Sequence, residues 1–196
     1  MILFIDIEAS SLNADSHPIE LGWCGVDGRG ESHLIKPPRA WKDWSVASEY
    51  VHGLSRRQLR TEGRPPQDVA RRAVEVLGQP EVTVYSDAPP FDGRWLDVLL
   101  VRCGYPPGCV AIRDVHHAYV IACLPLLAAL PPDDAADRAA AEAEIRAVAA
   151  RLIAEAEEAE SRRPRIRHRA LADAEGLAWT WREIRRLALA HAGRDA

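Results

Sequence analysis

The chain has 196 residues, 47% of them hydrophobic and 28% charged, a composition that predicts a globular protein with a full core and excludes a disordered segment or a disulfide-built miniprotein. Its formal net charge of -4 provides no global attraction to nucleic acid, so a site for a polyanion would have to be a local basic patch on an acidic body. The four cysteines, Cys24, Cys103, Cys109 and Cys123, lack C-x-x-C or finger spacing and are expected to be buried free thiols.

The run Met1 to Glu8 reads as a short apolar strand that delivers Asp6 and Glu8 just before the polar stretch Ala9 to Asn13. Residues two apart on a strand share a face, so both carboxylates point the same way from a rigid element. Two such anions call for a cation, a shared proton or exposure to water. After His17-Pro18, Ile19 to Val26 and Ser32 to Lys36 read as two strands joined by a turn at Asp27-Gly28-Arg29-Gly30. Pro37-Pro38 ends this meander, and a loop bearing Trp41 and Trp44 follows. Ser55 is placed to cap a short helix. Beyond Pro65-Pro66, the spacing of Val69, Ala73, Val76 and Leu77 predicts a helix up to Gly78.

Val82 to Tyr85 is expected to be a strand, and Phe91, Trp95, Val98 and Leu99 a helix ending before Gly104. Val110 to Val115 reads as a fifth strand, followed by an apolar helix through Leu130. From Asp133 to Glu160 the chain is rich in Ala, Glu and Arg, with Ile145, Val148, Leu152 and Ile153 as a narrow apolar stripe. A long amphipathic helix there would either pack on the domain or serve association, which leaves a homodimer open. Pro164 breaks it, and a last helix is expected from about Arg169 to His191. Strands first in a meander and then alternating with helices imply an α/β fold, a mixed sheet with helices on its faces. The expected organisation is a single domain over 1-196, with 131-164 as a helical segment within it. No apolar run approaches the ~20 residues of a bilayer span and no charged leader precedes the first strand, so a cytoplasmic protein without a membrane partner is expected.

Asp92 falls in the first turn of the helix after the fourth strand, where a carboxylate also suits the helix dipole. His168 stands just before the last helix and Asp173 in its first turns. Helical geometry puts residues five apart on different faces, so these two need not touch, though both could line one site at the rim. Asp6-Ile7-Glu8, Phe91-Asp92-Gly93-Arg94-Trp95-Leu96 and His168 to Asp173 together resemble the three motifs of the DEDDh class of 3′-to-5′ exonucleases, in order and in context. His52-Gly53-Leu54 is similar to the class's His-Gly-hydrophobic element, Asp114 to its acid after the fifth strand, and Leu12 to the apolar residue six past the first acid. Ser11 stands where the class often has Gly, and the stretch from Asp87 to Asp92 is one residue longer than the usual motif. Asp87 is therefore an alternative third acid, with Asp92 preferred because Trp95-Leu96 follows it as in the motif.

The resemblance implies a ribonuclease H-like mixed five-stranded sheet flanked by helices, here with an extra long Ala-rich helix. It implies phosphodiester hydrolysis at the 3′ end of single-stranded DNA or RNA, with two Mg²⁺, or Mn²⁺ in their place, held by Asp6, Glu8, Asp92 and Asp173. By the same resemblance Asp6 would bridge both ions, Glu8 and Asp173 complete the nucleophile side, and His168 act as general base, a role that an unperturbed imidazole pKa of ~6.5 suits. Leu12, His52 and Trp95 would hold the terminal nucleotide by apolar contact and stacking. The run Arg162, Arg163, Arg165, Arg167 and Arg169 is either a set of phosphate contacts or a charged linker balancing the acidic helix before it. The competing reading is a catalytically silent nucleic-acid-binding or regulatory module on the same fold, which should have lost at least one of the acids.

Overall fold

The computed structural model describes residues 1–131 and 136–193, and its chain forms two compact units. The first comprises Met1–Asp114 with Arg165–Ala178, and the second Val115–Pro164 with the residues from Trp179 onward.

The first unit is built on a five-stranded sheet: β1 (Ile2–Ala9), β2 (Pro18–Gly25), β3 (Gly30–Leu34), β4 (Thr83–Ser86) and β5 (Ile112–Asp114), in spatial order β3-β2-β1-β4-β5. β1, β2 and β3 pair antiparallel, whereas β1 with β4 and β4 with β5 pair parallel. Parallel neighbours need a crossover, and helices provide it. Between β3 and β4 run α1 (Val46–His52), α2 (Arg56–Glu62) and α3 (Pro66–Leu77); between β4 and β5 runs α4 (Pro89–Arg102). β2 ends at Gly25, one residue earlier than the sequence predicted. Gly28 in the turn that follows takes φ +82°, and Asp27 Oδ1 accepts from Arg29 N at 3.0 Å.

Alternation sorts the sheet into two faces. Leu3, Ile5, Ile7, Leu21 and Trp23 enter the main core against Val69, Ala73 and Leu77 of α3 and Leu96, Leu99 and Leu100 of α4. Phe4, Asp6 and Glu8 lie on the opposite face, where Asp6 is paired with Gly22 and Glu8 with Glu20 across β1–β2. The helix caps follow the local chemistry: Ser55 Oγ accepts from Gln58 N at 3.1 Å as expected, and Pro65-Pro66 opens α3. The sequence reading missed α1. Val46, Tyr50 and Val51 are exposed and only His52 is buried, so the segment has no core-facing stripe to reveal it. Its signals are the Ser45 cap and Gly53, which ends the helix at φ +70°.

In the second unit α5 (Val115–Ala122) is followed by a 3₁₀ turn over Leu124–Ala129, where a helix through Leu130 was expected; Pro125 at the start of that turn ends regular helix. α6 (Arg138–Ser161) begins later than predicted, with 133–135 of the expected helix outside the described residues, and buries Leu152, Ile153 and Ala156. α7 (Ala170–Ala192) contributes its first nine residues to the first unit and the remainder to the second. All four cysteines are free, but only Cys24 and Cys123 are buried. Cys103 is half-buried, and Cys109 is exposed just after Gly108, contrary to the expectation for it. No helix among the described residues is long and apolar enough to cross a membrane.

Candidate active site

The site grows from the end of β1. Gly22 lies beside Asp6, and the N-terminal turn of α7 rests on it. A Cβ at Gly22 would fall 2.4 Å from Leu171 N and 2.5 Å from the Ala170 carbonyl carbon. Only glycine permits this approach, which brings the last motif over the first.

Two groups of ligating side chains result. Glu8, His168 and Asp173 each present one ligand atom within 4.8 Å of the others, and Asp6, Asp87 and Asp92 do the same. All five sequence-predicted catalytic residues therefore meet at the end of β1. Both candidates for the third acid meet Asp6. Asp92, in the first turn of α4, is 2% exposed and accepts from the Ser86 hydroxyl and from the Ile7 amide. Asp87, directly after β4, sits at the exposed rim.

His168 is the only non-glycine residue with positive φ among those described, at +58°. That left-handed turn lets its ring join Glu8 and Asp173 although it stands five residues before Asp173. Asp173 takes an ion pair from Arg165, and its Oδ2 accepts from Arg169 N at 3.1 Å.

The electrostatics are those of crowded acids. Burial, then the charges of Asp92, Glu8, Asp173 and Asp87, holds the Asp6 carboxyl well above the usual carboxylate range. Burial with Asp173 and Glu20 nearby pushes Glu8 up to about 7, against the opposing pull of Arg169. Burial carries Asp92 to about 7 in spite of its Ser86 hydrogen bond. Asp87 is also raised, by desolvation and by Asp173 and Asp114.

Sequence reasoning missed Glu20. This residue is 1% exposed and receives Arg169 Nε at 2.8 Å and Nη2 at 2.9 Å, Ser32 Oγ at 2.8 Å and Ala170 N at 3.2 Å. Burial alone would raise its pKa; the hydrogen bonds from Arg169 and Ser32 outweigh it and lower the value. Glu20 thus fastens the start of α7 to β2. A charge in the otherwise apolar run Ile19 to Cys24 was the available signal.

Beside the acids lies a pocket of about 370 Å³ whose walls include Leu12, Ser48, Val51, His52, Trp95 and His168. The three residues predicted to hold a nucleotide therefore line one cavity. Leu12 is 73% exposed on a loop tied down by Asp43, which accepts from Ser10 Oγ at 2.6 Å, Ser11 Oγ at 2.7 Å and Asn13 Nδ2 at 3.1 Å. Trp95 is buried, with Nε1 donating to Ser16 Oγ at 2.8 Å. His52 Nδ1 accepts from Leu54 N at 3.0 Å, while its Nε2 has no hydrogen-bond partner among the described residues.

Of the arginine run, Arg162 pairs with Glu158, Arg163 lies 4.4 Å over the Trp179 ring, Arg165 holds Asp173 and Arg169 holds Glu20. The run is spent largely on internal partners. This is closer to the charge-balancing reading than to a row of phosphate contacts.

Neither a protein-family model nor a curated protein matches the sequence. The fold has solved counterparts. Exonuclease I of E. coli in complex with a dA16 oligonucleotide matches with a TM-score of 0.63 over 97% of this chain and 42% of that one, at 16% identity. The zinc-bound form of the E. coli Exonuclease I complex with single-stranded DNA gives 0.62 over 90% and 38%, and an apo Exonuclease I gives 0.60 over 91% and 40%, both at 16% identity. The chain spans about two fifths of the length of these structures. The likeness establishes the fold: an α/β, mixed five-stranded sheet flanked by helices, of the ribonuclease H-like kind that these exonucleases share.

Proposed function

We propose that the chain is a divalent-metal-dependent 3′-to-5′ exonuclease acting on single-stranded nucleic acid. The observation that carries the reading is the meeting of two ligand groups, drawn from β1, the β4–α4 connection and the start of α7, at one strand end. The donor set fits hard divalent cations such as Mg²⁺ or Mn²⁺, because five of its six members offer carboxylate oxygen. The raised pKa values of Asp6, Glu8 and Asp92 fit as well, since each marks repulsion and desolvation that bound cations would offset. Asp6, Asp92 and Asp87 would hold one ion, and Glu8 and Asp173 the other. Such ions supply stabilisation of the negative charge that develops on a phosphodiester during hydrolysis.

The protein's own residues do the rest. His168, fixed beside Glu8 and Asp173 by its left-handed backbone, takes the proton from the attacking water. Leu12 and Trp95 would wall the terminal base, and His52 Nε2, without a partner among the described residues, would donate to the terminal nucleotide. The solved counterparts include complexes with single-stranded oligonucleotides, which supports this ligand class, and the order of the three motifs supports the 3′-to-5′ direction.

The contact of Arg165 with Asp173 favours a second reading, a silent binding module in which a guanidinium substitutes for a cation. Incubation with 5′-labelled single-stranded DNA and RNA oligomers separates the two. The enzyme reading requires a metal-dependent ladder shortening from the 3′ end, lost with chelator and in Asp6→Ala and His168→Ala. Intact oligomers that remain bound would establish the module.

A further inference from the structure

A chain of net charge -4 whose arginine run is engaged internally needs another cationic surface if it is to hold a polyanion. The first unit has one. A cavity of about 500 Å³ is lined by Pro37, Pro38, Arg39, Lys42, Arg56 and Arg60, and no carboxylate is among its walls. None of the four cations has an ion-pair partner among the described residues. Arg56 donates Nη1 to Lys42 O at 3.0 Å and Nη2 to Trp41 O, stands 5.4 Å from the Trp44 ring centroid, and has a buried Nε without a partner among the described residues. Those carbonyls fix its position without neutralising its charge. Four like charges gathered over two rigid prolines repel one another, and an anion offsets that repulsion.

The cavity adjoins the elements of the nucleotide pocket. Lys42 faces it, while the next residue, Asp43, ties the Ser10–Ser11 edge of that pocket. Ser45 caps α1, whose Ala47, Ser48, Val51 and His52 wall the pocket, and Arg56 opens the following helix. Trp44 links the two cavities: the Arg56 guanidinium stands over its ring, and that ring meets the ring of the pocket's His52 at 6.1 Å between centroids.

We propose that the Arg39/Lys42/Arg56/Arg60 cavity is a subsite for the phosphodiester backbone of the strand, upstream of its terminal nucleotide. This rests on the nucleic-acid reading of the pocket. Contacts of this kind are independent of sequence, strengthen with strand length and release counterions.

The test compares a combined Arg39→Gln, Lys42→Gln, Arg60→Gln variant with its parent, both carrying His168→Ala so that the strand stays intact. Arg56 is retained because it holds the Trp41 and Lys42 carbonyls. Binding of 5′-labelled deoxythymidine trimer and dodecamer is measured by anisotropy in Mg²⁺ between about 50 and 200 mM salt. The expected result is a dodecamer salt slope shallower by about 0.7 per lost phosphate contact, about 2 in all, with dodecamer affinity down more than about tenfold and trimer affinity unchanged. An unchanged slope, an equal loss on both oligomers, or no binding of either by the parent would overturn the subsite. Turnover is assayed separately on the unsubstituted protein. If the dodecamer is never shortened yet the slope difference is found, the exonuclease reading falls and the subsite stands.

Discussion

Glu8 offers the sharpest check on the electrostatics of the site. Its carboxyl is carried from 4.5 to about 7 by burial and by Asp173 and Glu20, so between those pH values the folded chain binds a proton that the unfolded chain has released. Stability contributed by this group is therefore present below pH 4.5, is lost as pH rises toward 7, and stays lost above it. At about 1.4 kcal/mol per pH unit, the gap amounts to about 3 kcal/mol in the metal-free protein. Glu8→Gln removes the penalty. In chelator the variant should match the parent near pH 4 and exceed its unfolding free energy by up to about 3 kcal/mol near pH 8, read from urea unfolding at a series of pH values. Saturating Mg²⁺ should narrow the difference near pH 8, because a cation at a hundred times its Kd adds about 2.7 kcal/mol to the parent and less to a variant lacking one ligand. A difference in chelator that does not change with pH would refute the reasoning.

The remaining predictions concern the devices that bring the site together. His168→Gly relieves the left-handed backbone, so it should stabilise the fold by about 0.5–1 kcal/mol while abolishing turnover, measured by urea unfolding beside the ladder assay. Gly22→Ala sets a methyl against the Ala170–Leu171 backbone and should cost about 3 kcal/mol, with loss of the Mg²⁺-dependent rise in melting temperature. Glu20→Gln removes the bidentate partner of Arg169 and should cost about 2–3 kcal/mol. Because the charge of Glu20 helps to raise Glu8, the pH midpoint of Mn²⁺ binding should also fall in this variant.

Much of the sheet and most of the site could be read from local pattern. Period-two alternation places Asp6 and Glu8 on one face, Ser55 and Pro65-Pro66 announce their helices, and Asp92 falls in the first turn of α4 as expected. What stayed hidden depends on distant partners. Glu20 acquires meaning from an arginine 149 positions away, and the arginines around His168 look free until Asp173, Glu20, Glu158 and Trp179 are seen to engage them. α1 lacks a buried stripe because its residues wall a pocket and meet solvent instead of the core. The choice between Asp87 and Asp92 could not be made from spacing, and in the fold both approach Asp6.

The most direct test of the central claim is anomalous scattering from crystals grown with Mn²⁺ and a nucleoside 5′-monophosphate. Two peaks are expected, one bound by Asp6, Asp87 and Asp92 and the other by Glu8 and Asp173, with the nucleotide's base against Leu12 and Trp95. No peak among these carboxylates at saturating Mn²⁺, with Arg165 still on Asp173, would contradict it.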